Sequence, residues 1–360
     1  MKLLLEIPLN SLSLGNVSIN ILKEFFKKDI QLGIFPTGDI ALNSFDLSKE
    51  LNQYIEEGLN NRYKFLSKDI PSFKLWHING CDNRKNRNQF IYTFYECNEP
   101  TDIECSIVGN QDKTIFSSSY ARDCFKAKGL DNCEYIPLGL DESFKVTNKK
   151  YMEDCTHFGL MGKYENRKHT QKIIRTWLKK YGNNNKFLLT CCISNPFFKP
   201  EQMQGLISQT LEGKHYNNIN FLPYLAKNTE VNEYLNSIDI DLGGLSGGEG
   251  WNLPSFNATC LGKWSVVLNS TSHKDWANDS NSILVEPSGE MSVADGVFFN
   301  ENQGFNQGTF YTWTEDEAIA GMEKAVSKAG QINTEGVKMG DNMTYKKTTE
   351  AILSLVFGEK

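Results

Sequence analysis

The chain has 360 residues, of which 39% are hydrophobic, 12% aromatic and 23% charged. That composition excludes a disordered chain or a fibre, and the length suits two domains of ordinary size. With 38 Lys and Arg against 44 Asp and Glu the net charge is −6, so only a local basic patch would hold nucleic acid or an anionic membrane.

Short apolar runs alternate with amphipathic stretches along almost the whole chain, the pattern of βαβ units and a parallel sheet. Residues 2–7 read as a first strand, followed by a loop at Gly15 and a helix over 17–28 with Ile21, Leu22, Phe25 and Phe26 on one face. Strands are predicted at 30–35, 74–78, 105–108 and 113–116. The serines at 117–119 suit a helix N-cap. The run 136–144 closes this half, and polar 145–154 reads as a linker. The apolar start at Leu3 is cut short by Glu6 and Pro8, and no stretch approaches the ~18 apolar residues of a membrane span, so a soluble, cytoplasmic protein is expected.

The second half restarts the pattern with a strand at 157–161, a turn at 162–167 and a helix over 168–181 whose Ile173, Ile174, Trp177 and Leu178 share a face. Strands follow at 186–193, 219–222, 238–242, 264–268 and 282–285. Thr314 and Glu317 form a capping-box pattern opening a helix to about 328, and a last helix spans roughly 344–357. Nine cysteines stand at scattered positions with no CxxC spacing, which excludes a disulfide framework or zinc ribbon. Cys191 and Cys192 read as small apolar residues of a buried strand. Two α/β halves joined by a polar linker predict a ligand-binding cleft at the carboxyl ends of their strands.

Two segments carry candidate chemistry. In Gly162-Lys163-Tyr164-Glu165-Asn166-Arg167-Lys168, a strand, a glycine turn and a helix start coincide with three cations. Free backbone N–H groups and the helix dipole favour an anion there, such as a diphosphate; a solvated basic helix start is the alternative. In 243–262, a glycine-rich strand exit surrounds Glu249, with Pro254 just inside a short helix and Gly262 at its end. An acidic residue in such a turn offers acceptors to sugar hydroxyls. Neither G-x-x-x-x-G-K-[ST] nor G-x-G-x-x-G is present, against a P-loop kinase or a dinucleotide dehydrogenase. Asp239-Ile240-Asp241 alternates with Ile238 and Leu242 and reads as a strand with one polar face, so no metal site is expected. The loop 79–87 carries Arg84, Lys85 and Arg87, with Tyr92, Tyr95 and Glu96 beyond. A solvated loop is the commoner meaning of such a run; a phosphate-bearing acceptor is the alternative.

The segment Glu249-Gly250-Trp251-Asn252-Leu253-Pro254-Ser255-Phe256-Asn257 and its continuation to Gly262 resembles the E-G-F-G-L-P-x-x-E-A-M-A-x-G signature of glycosyltransferase family 4. Gly162, Lys163 and Lys168 lie where that family carries G-R-x-x-x-x-K. The run 136–144 is similar to the segment preceding its C-terminal domain, and Gly15-Asn16 to its N-terminal glycine loop. The resemblance implies a GT-B fold of class α/β: a Rossmann-like acceptor-side domain over 1–148, a Rossmann-like donor domain over 149–340, and a terminal helix over 341–360 packing back on the first domain. It also implies a retaining hexosyltransferase using a nucleotide-sugar co-substrate, UDP- or GDP-linked, with neither cofactor nor metal.

By that resemblance Lys163 and Lys168 stabilise the leaving diphosphate, Glu249 bonds the donor sugar, and His77 stands near the donor sugar and the attacking hydroxyl. The donor set is completed by Gly15, Asn16, Gly162, Arg167, Gly250, Trp251, Asn252, Leu253 and Asn257, and Arg84, Tyr95 and Glu96 are expected on the acceptor side. The acceptor would be a glycan, a lipid-linked sugar or a modified nucleic acid. Two departures stand out: Asn257 replaces the family's second glutamate, which grips the ribose, and Lys163 replaces arginine. A nucleotide-sugar epimerase or hydrolase on the same fold, or a catalytically silent sugar- or nucleotide-binding scaffold, are the competing expectations.

Overall fold

The computed structural model describes residues 1–147 and 149–358. The domain boundary expected at 148/149 falls on Asn148, outside the described residues, as do Glu359 and Lys360. The chain forms two units, one comprising Met1–Asp141, Gly296–Gly308 and Met343–Lys360, the other Glu142–Asp295 and Thr309–Asn342.

The first unit begins β1 (Lys2–Ile7), α1 (Ser13–Lys27), β2 (Gln31–Pro36), α2 (Lys49–Asn61), β3 (Ser72–Leu75) and β4 (Gln89–Thr93). It continues α3 (Asp102–Gly109), β5 (Lys113–Phe116), α4 (Ser119–Lys126) and β6 (Cys133–Tyr135). Its sheet runs β2-β1-β3-β4-β5-β6, every adjacent pair parallel. Leu3, Leu4, Leu5, Phe73, Ile91 and Ile115 are fully buried in it, as a parallel sheet covered on both faces requires. The strand expected at 105–108 is instead the helix α3. Thr101 caps it, its hydroxyl accepting from the Glu104 N–H while the Glu104 carboxylate accepts from the Thr101 N–H, and that local box overrides the β preference of Ile107 and Val108. β4 had no counterpart in the sequence reading, which took its surroundings as loop.

The second unit contains β7 (Thr156–Lys163), α5 (Thr170–Tyr181), β8 (Phe187–Ser194), α6 (Pro200–Thr210), β9 (Ile219–Phe221), α7 (Asn228–Ser237) and β10 (Ile240–Asp241). It goes on with α8 (Leu253–Cys260), β11 (Trp264–Leu268), β12 (Ser282–Val285), the hairpin β13 (Gly289–Ser292) and β14 (Thr309–Thr312), α9 (Glu315–Val326) and α10 (Thr334–Asn342). Its sheet runs β12-β11-β10-β7-β8-β9, again all parallel. The core joins Phe158, Ile173, Ile174 and Trp177 to Val266, Leu268 and Met322. Full burial of one such apolar side chain contributes about 1.5–3 kcal/mol.

The final helix, α11 (Tyr345–Phe357), belongs to the first unit, where it packs on α1 and Thr348 Oγ1 donates to the Pro137 carbonyl at 2.8 Å. Residues 296–308, between the two strands of the β13–β14 hairpin, also belong to the first unit. There Thr101 Oγ1 donates to Gly304 O at 2.6 Å, and the buried Glu104 carboxylate accepts from the Asn306 N–H at 2.8 Å.

Candidate active site

Both motif-bearing segments of the second unit leave the sheet at one point. β7 and β10 are neighbours, and the chain departs in opposite directions across the sheet from them, so the turn after β7 and the glycine-rich turn after β10 meet at the switch in strand order. Residues about 80 positions apart thereby become partners.

Arg167 is the centre of the cluster. It is buried; Nη1 donates to the Gly248 carbonyl and to Glu249 Oε2 at 3.0 Å, and Nη2 donates to Glu165 Oε2 at 3.0 Å. Lys168 Nζ lies 2.5 Å from Glu249 Oε1, so each oxygen of Glu249 has its own cation. Burial alone would raise the Glu249 pKa, but Lys168 and Arg167 outweigh it and hold the carboxyl well below the usual carboxylate range. Lys163 is more open, its side chain 38% exposed, 3.6 Å from Glu165 Oε1 and with its ammonium 5.6 Å from the centre of the Phe197 ring.

The two turns are also tied through their backbones. The Gly247 N–H donates to Arg167 O at 2.9 Å and the Tyr311 N–H to Gly247 O at 3.0 Å, while a His169 ring nitrogen lies 2.9 Å from Tyr311 O. A side chain at 247 would sit 2.3 Å from Tyr311 O and 2.6 Å from the His169 ring, so only glycine admits this approach.

The helices that follow begin alike. α5 starts after His169 and α8 after Asn252, both with left-handed backbone, φ 53° and φ 68°, and neither start is capped by a side chain. Asn252 Nδ2 instead donates to Gly243 O at 3.0 Å and faces His273 Nε2 at 3.0 Å; His273 Nδ1 lies 2.8 Å from Leu268 O. This arrangement needs a neutral ring donating from Nδ1. Burial pushes the His273 pKa down to about 4, against the opposing pull of Glu249. Asn257, on α8, is 92% buried by its 8% exposure, and its side-chain amide has no hydrogen-bond partner among the described residues. Gly250 and Trp251 lie on the same turn and Leu253 opens α8; Trp251 is 1% exposed and its side chain packs in the core, while Gly250 is buried and offers only backbone. Asp241 is fully buried, its Oδ1 accepting from the Gly243 N–H at 3.2 Å, and no group of three metal-ligating side chains occurs among the described residues.

No family model and no curated protein sequence matches the chain. Solved structures do. Sucrose-phosphate synthase from Thermosynechococcus elongatus is similar at TM-score 0.67 and 11% identity, over 99% of this chain and 98% of that one. HepE from Anabaena in complex with UDP is similar at TM-score 0.66 and 11% identity, over 99% of both chains. The lipopolysaccharide outer core galactosyltransferase WaaB is similar at TM-score 0.63 and 12% identity, over 100% of both. The chain has the GT-B fold.

In the first unit of this GT-B chain, Gly15 and His77 follow the adjacent strands β1 and β3, the switch point of the other sheet. Gly15, expected in a loop, lies in the first turn of α1, where a side chain would sit 1.9 Å from Asn10 O, so glycine is required for the close approach of the preceding chain. Asn16 Nδ2 donates to Ser11 O and Leu12 O, while its Oδ1 is buried without a partner. His77 is exposed, edge-on to Trp76 at 5.6 Å. Arg84 is engaged internally, donating to Arg87 O, Asn110 O and Asp112. Tyr95, expected to face an acceptor, is 2% exposed, packed on Phe125 with its hydroxyl donating to Glu104 at 3.3 Å; its burial makes it a core residue. Glu96 next to it is half-buried. Sequence reasoning missed Phe197, Thr271 and His273, whose partners Lys163, Glu249 and Asn252 stand in distant parts of the chain, and passed over Glu165, whose pairing with Arg167 and Lys163 depends on side-chain placement that spacing does not show. No helix of the described residues is long and apolar enough to cross a membrane.

Proposed function

We propose that this protein is a retaining, metal-independent glycosyltransferase that moves a sugar from a nucleotide-sugar donor to an acceptor hydroxyl. The observation that carries the reading is the Lys163–Arg167–Lys168–Glu249 cluster at the strand-order switch of the second unit, beside two helix starts without side-chain caps. Lys163 and Lys168 with the first N–H groups of α5 suit a diphosphate. Glu249 retains lone pairs for sugar hydroxyls although both its oxygens face cations, and the unpartnered amide of Asn257 suits a ribose hydroxyl. HepE, of the same fold, is known in complexes with UDP and with UDP-glucose, which makes UDP-sugars the first donors to try.

In the proposed reaction the bond between the anomeric carbon and the diphosphate oxygen breaks, and the lysines offset the charge that grows on the leaving group. The acceptor oxygen adds to the same face, and its proton passes to the departing phosphate oxygen. No side-chain nucleophile is invoked.

The test is thermal stability against UDP, GDP, ADP and their glucose conjugates, followed by product analysis with EDTA present. A ligand at 100 times its Kd adds about 2.7 kcal/mol to the folded state. A rise with one nucleotide, absent in Lys168→Ala, with transfer surviving EDTA and the anomeric configuration kept, supports the reading. One specific observation favours a second reading, a silent binding scaffold: Lys168 and Arg167 are already paired with Glu249 and Glu165. A flat nucleotide panel from folded protein would select that reading over the first.

A further inference from the structure

The turn between β11 and β12 was not marked by any motif, yet three of its side chains reach the segment 249–252. Thr271 Oγ1 accepts from the Glu249 N–H at 3.2 Å, the His273 ring meets the Asn252 amide at 3.0 Å, and Trp276 Nε1 donates to Trp251 O at 3.1 Å. Thr271 is 2% exposed and has a left-handed backbone, φ 46°. For a β-branched residue that conformation is strained; glycine adopts it freely and asparagine at lower cost. What neither supplies at the same place is the threonine hydroxyl.

We propose that Thr271 is a positioning residue for the donor sugar: its strained backbone sets Oγ1 under the Glu249 N–H and so fixes where Glu249, Gly250 and Trp251 are presented. Glu249 is thereby held at both ends, its carboxylate by Arg167 and Lys168 and its backbone by Thr271. The sugar-binding step of this inference rests on the donor-site reading given above. The holding of the 249 backbone does not.

Three substitutions separate the hydroxyl from the backbone strain. Thr271→Ser keeps the acceptor, Thr271→Val keeps the shape and loses it, and Thr271→Gly relieves the strain and loses it. Hydrogen exchange of the peptide spanning 247–252 is read together with affinities for UDP and for UDP-glucose. The expected result is faster exchange at 249–252 in the Val and Gly variants, with wild-type rates in Ser. UDP-glucose is expected to weaken by up to about tenfold in Val and Gly, because binding must then re-order the 249–252 backbone that the lost hydrogen bond had held, while UDP itself binds as in the wild type. In the Gly variant the relieved strain offsets the lost hydrogen bond, so it should melt higher than the Val variant, and equal loss of UDP-glucose affinity in the two is not explained by a merely structural role.

Unchanged exchange in Thr271→Val and Thr271→Gly overturns the inference whatever the ligand data show. Changed exchange with an undiminished preference for UDP-glucose over UDP overturns its sugar-positioning half. If the wild type binds neither UDP nor UDP-glucose, the donor reading fails and takes that half with it, and the exchange arm still decides the backbone half.

Discussion

Replacing Glu249 with glutamine removes the charge that two buried cations share. Glu249 is 4% exposed, with Lys168 Nζ 2.5 Å from one oxygen and Arg167 Nη1 3.0 Å from the other. Removing one partner of a buried ion pair costs about 3–5 kcal/mol. The glutamine oxygen keeps one acceptor, offsetting about 1 kcal/mol, and Glu165 still faces Arg167. A net loss of about 3 kcal/mol corresponds to a melting temperature lower by about 6–12 °C for a unit of this size. The pH course supplies a second check. The Glu249 carboxyl is held below its unfolded value, so its stabilisation is complete above that value, about 4.3, and is lost as pH falls through the folded one. The gap between wild type and Glu249→Gln is therefore full above about pH 5 and narrows on further acidification. Scanning calorimetry across that range reads both. A variant melting within about 1 °C of the wild type near neutral pH, or a gap that widens with acid, refutes the argument.

Other outcomes follow from the same geometry. His169 and His273 are each pushed down to about 4 by burial, below the ordinary 6.5, so the unfolded chain binds more protons between those values and stability falls as pH drops through that window. Urea midpoints should show the fall, and His273→Gln should flatten it; an unchanged slope counts against a neutral buried ring. Lys163→Met, at an open side chain with a 3.6 Å contact to Glu165, should change stability by no more than about 0.5 kcal/mol while abolishing most of the UDP-dependent rise in melting temperature. Gly308→Ala places a methyl 2.1 Å from Asn98 Oδ1 at φ 109° and should free residues 296–308, read as new cleavage there in limited proteolysis; protection equal to wild type would refute it.

The repeating strand-and-helix order was legible because parallel strands are buried on both faces and read as short apolar runs, as at Leu3–Leu5 and Val266–Leu268. Caps were legible too, since they are local: Ser118 and Thr314 each accept at the helix starts where their sequences suggested, and Thr344, read as the first residue of the last helix, is its cap. The same locality explains the failure at 105–108, where apolar Ile107 and Val108 drew attention away from the capping pair Thr101 and Glu104. Of the candidate site, the cations and Glu249 could be picked out by type. Their pairing could not, because Arg167 and Glu249 are brought together by the adjacency of β7 and β10, which composition does not encode. Nor does any periodicity mark a threonine that will take a left-handed backbone.

The membership of the two units has a consequence for how the protein is made. Synthesis delivers the first 141 residues with their six strands complete, yet without 296–308 and α11, which arrive only after most of the second unit. The Glu104 carboxylate, which ends up 1% exposed against Asn306, waits through that interval without the partner that arrives last, and α1 waits for α11. Vectorial folding, in which an N-terminal domain finishes before the next begins, is closed to this chain. A gene cut at residue 141 would yield an open sheet layer with an uncovered helix, so the two halves should be recovered in native form only from one uninterrupted polypeptide or by co-expression of complementary pieces.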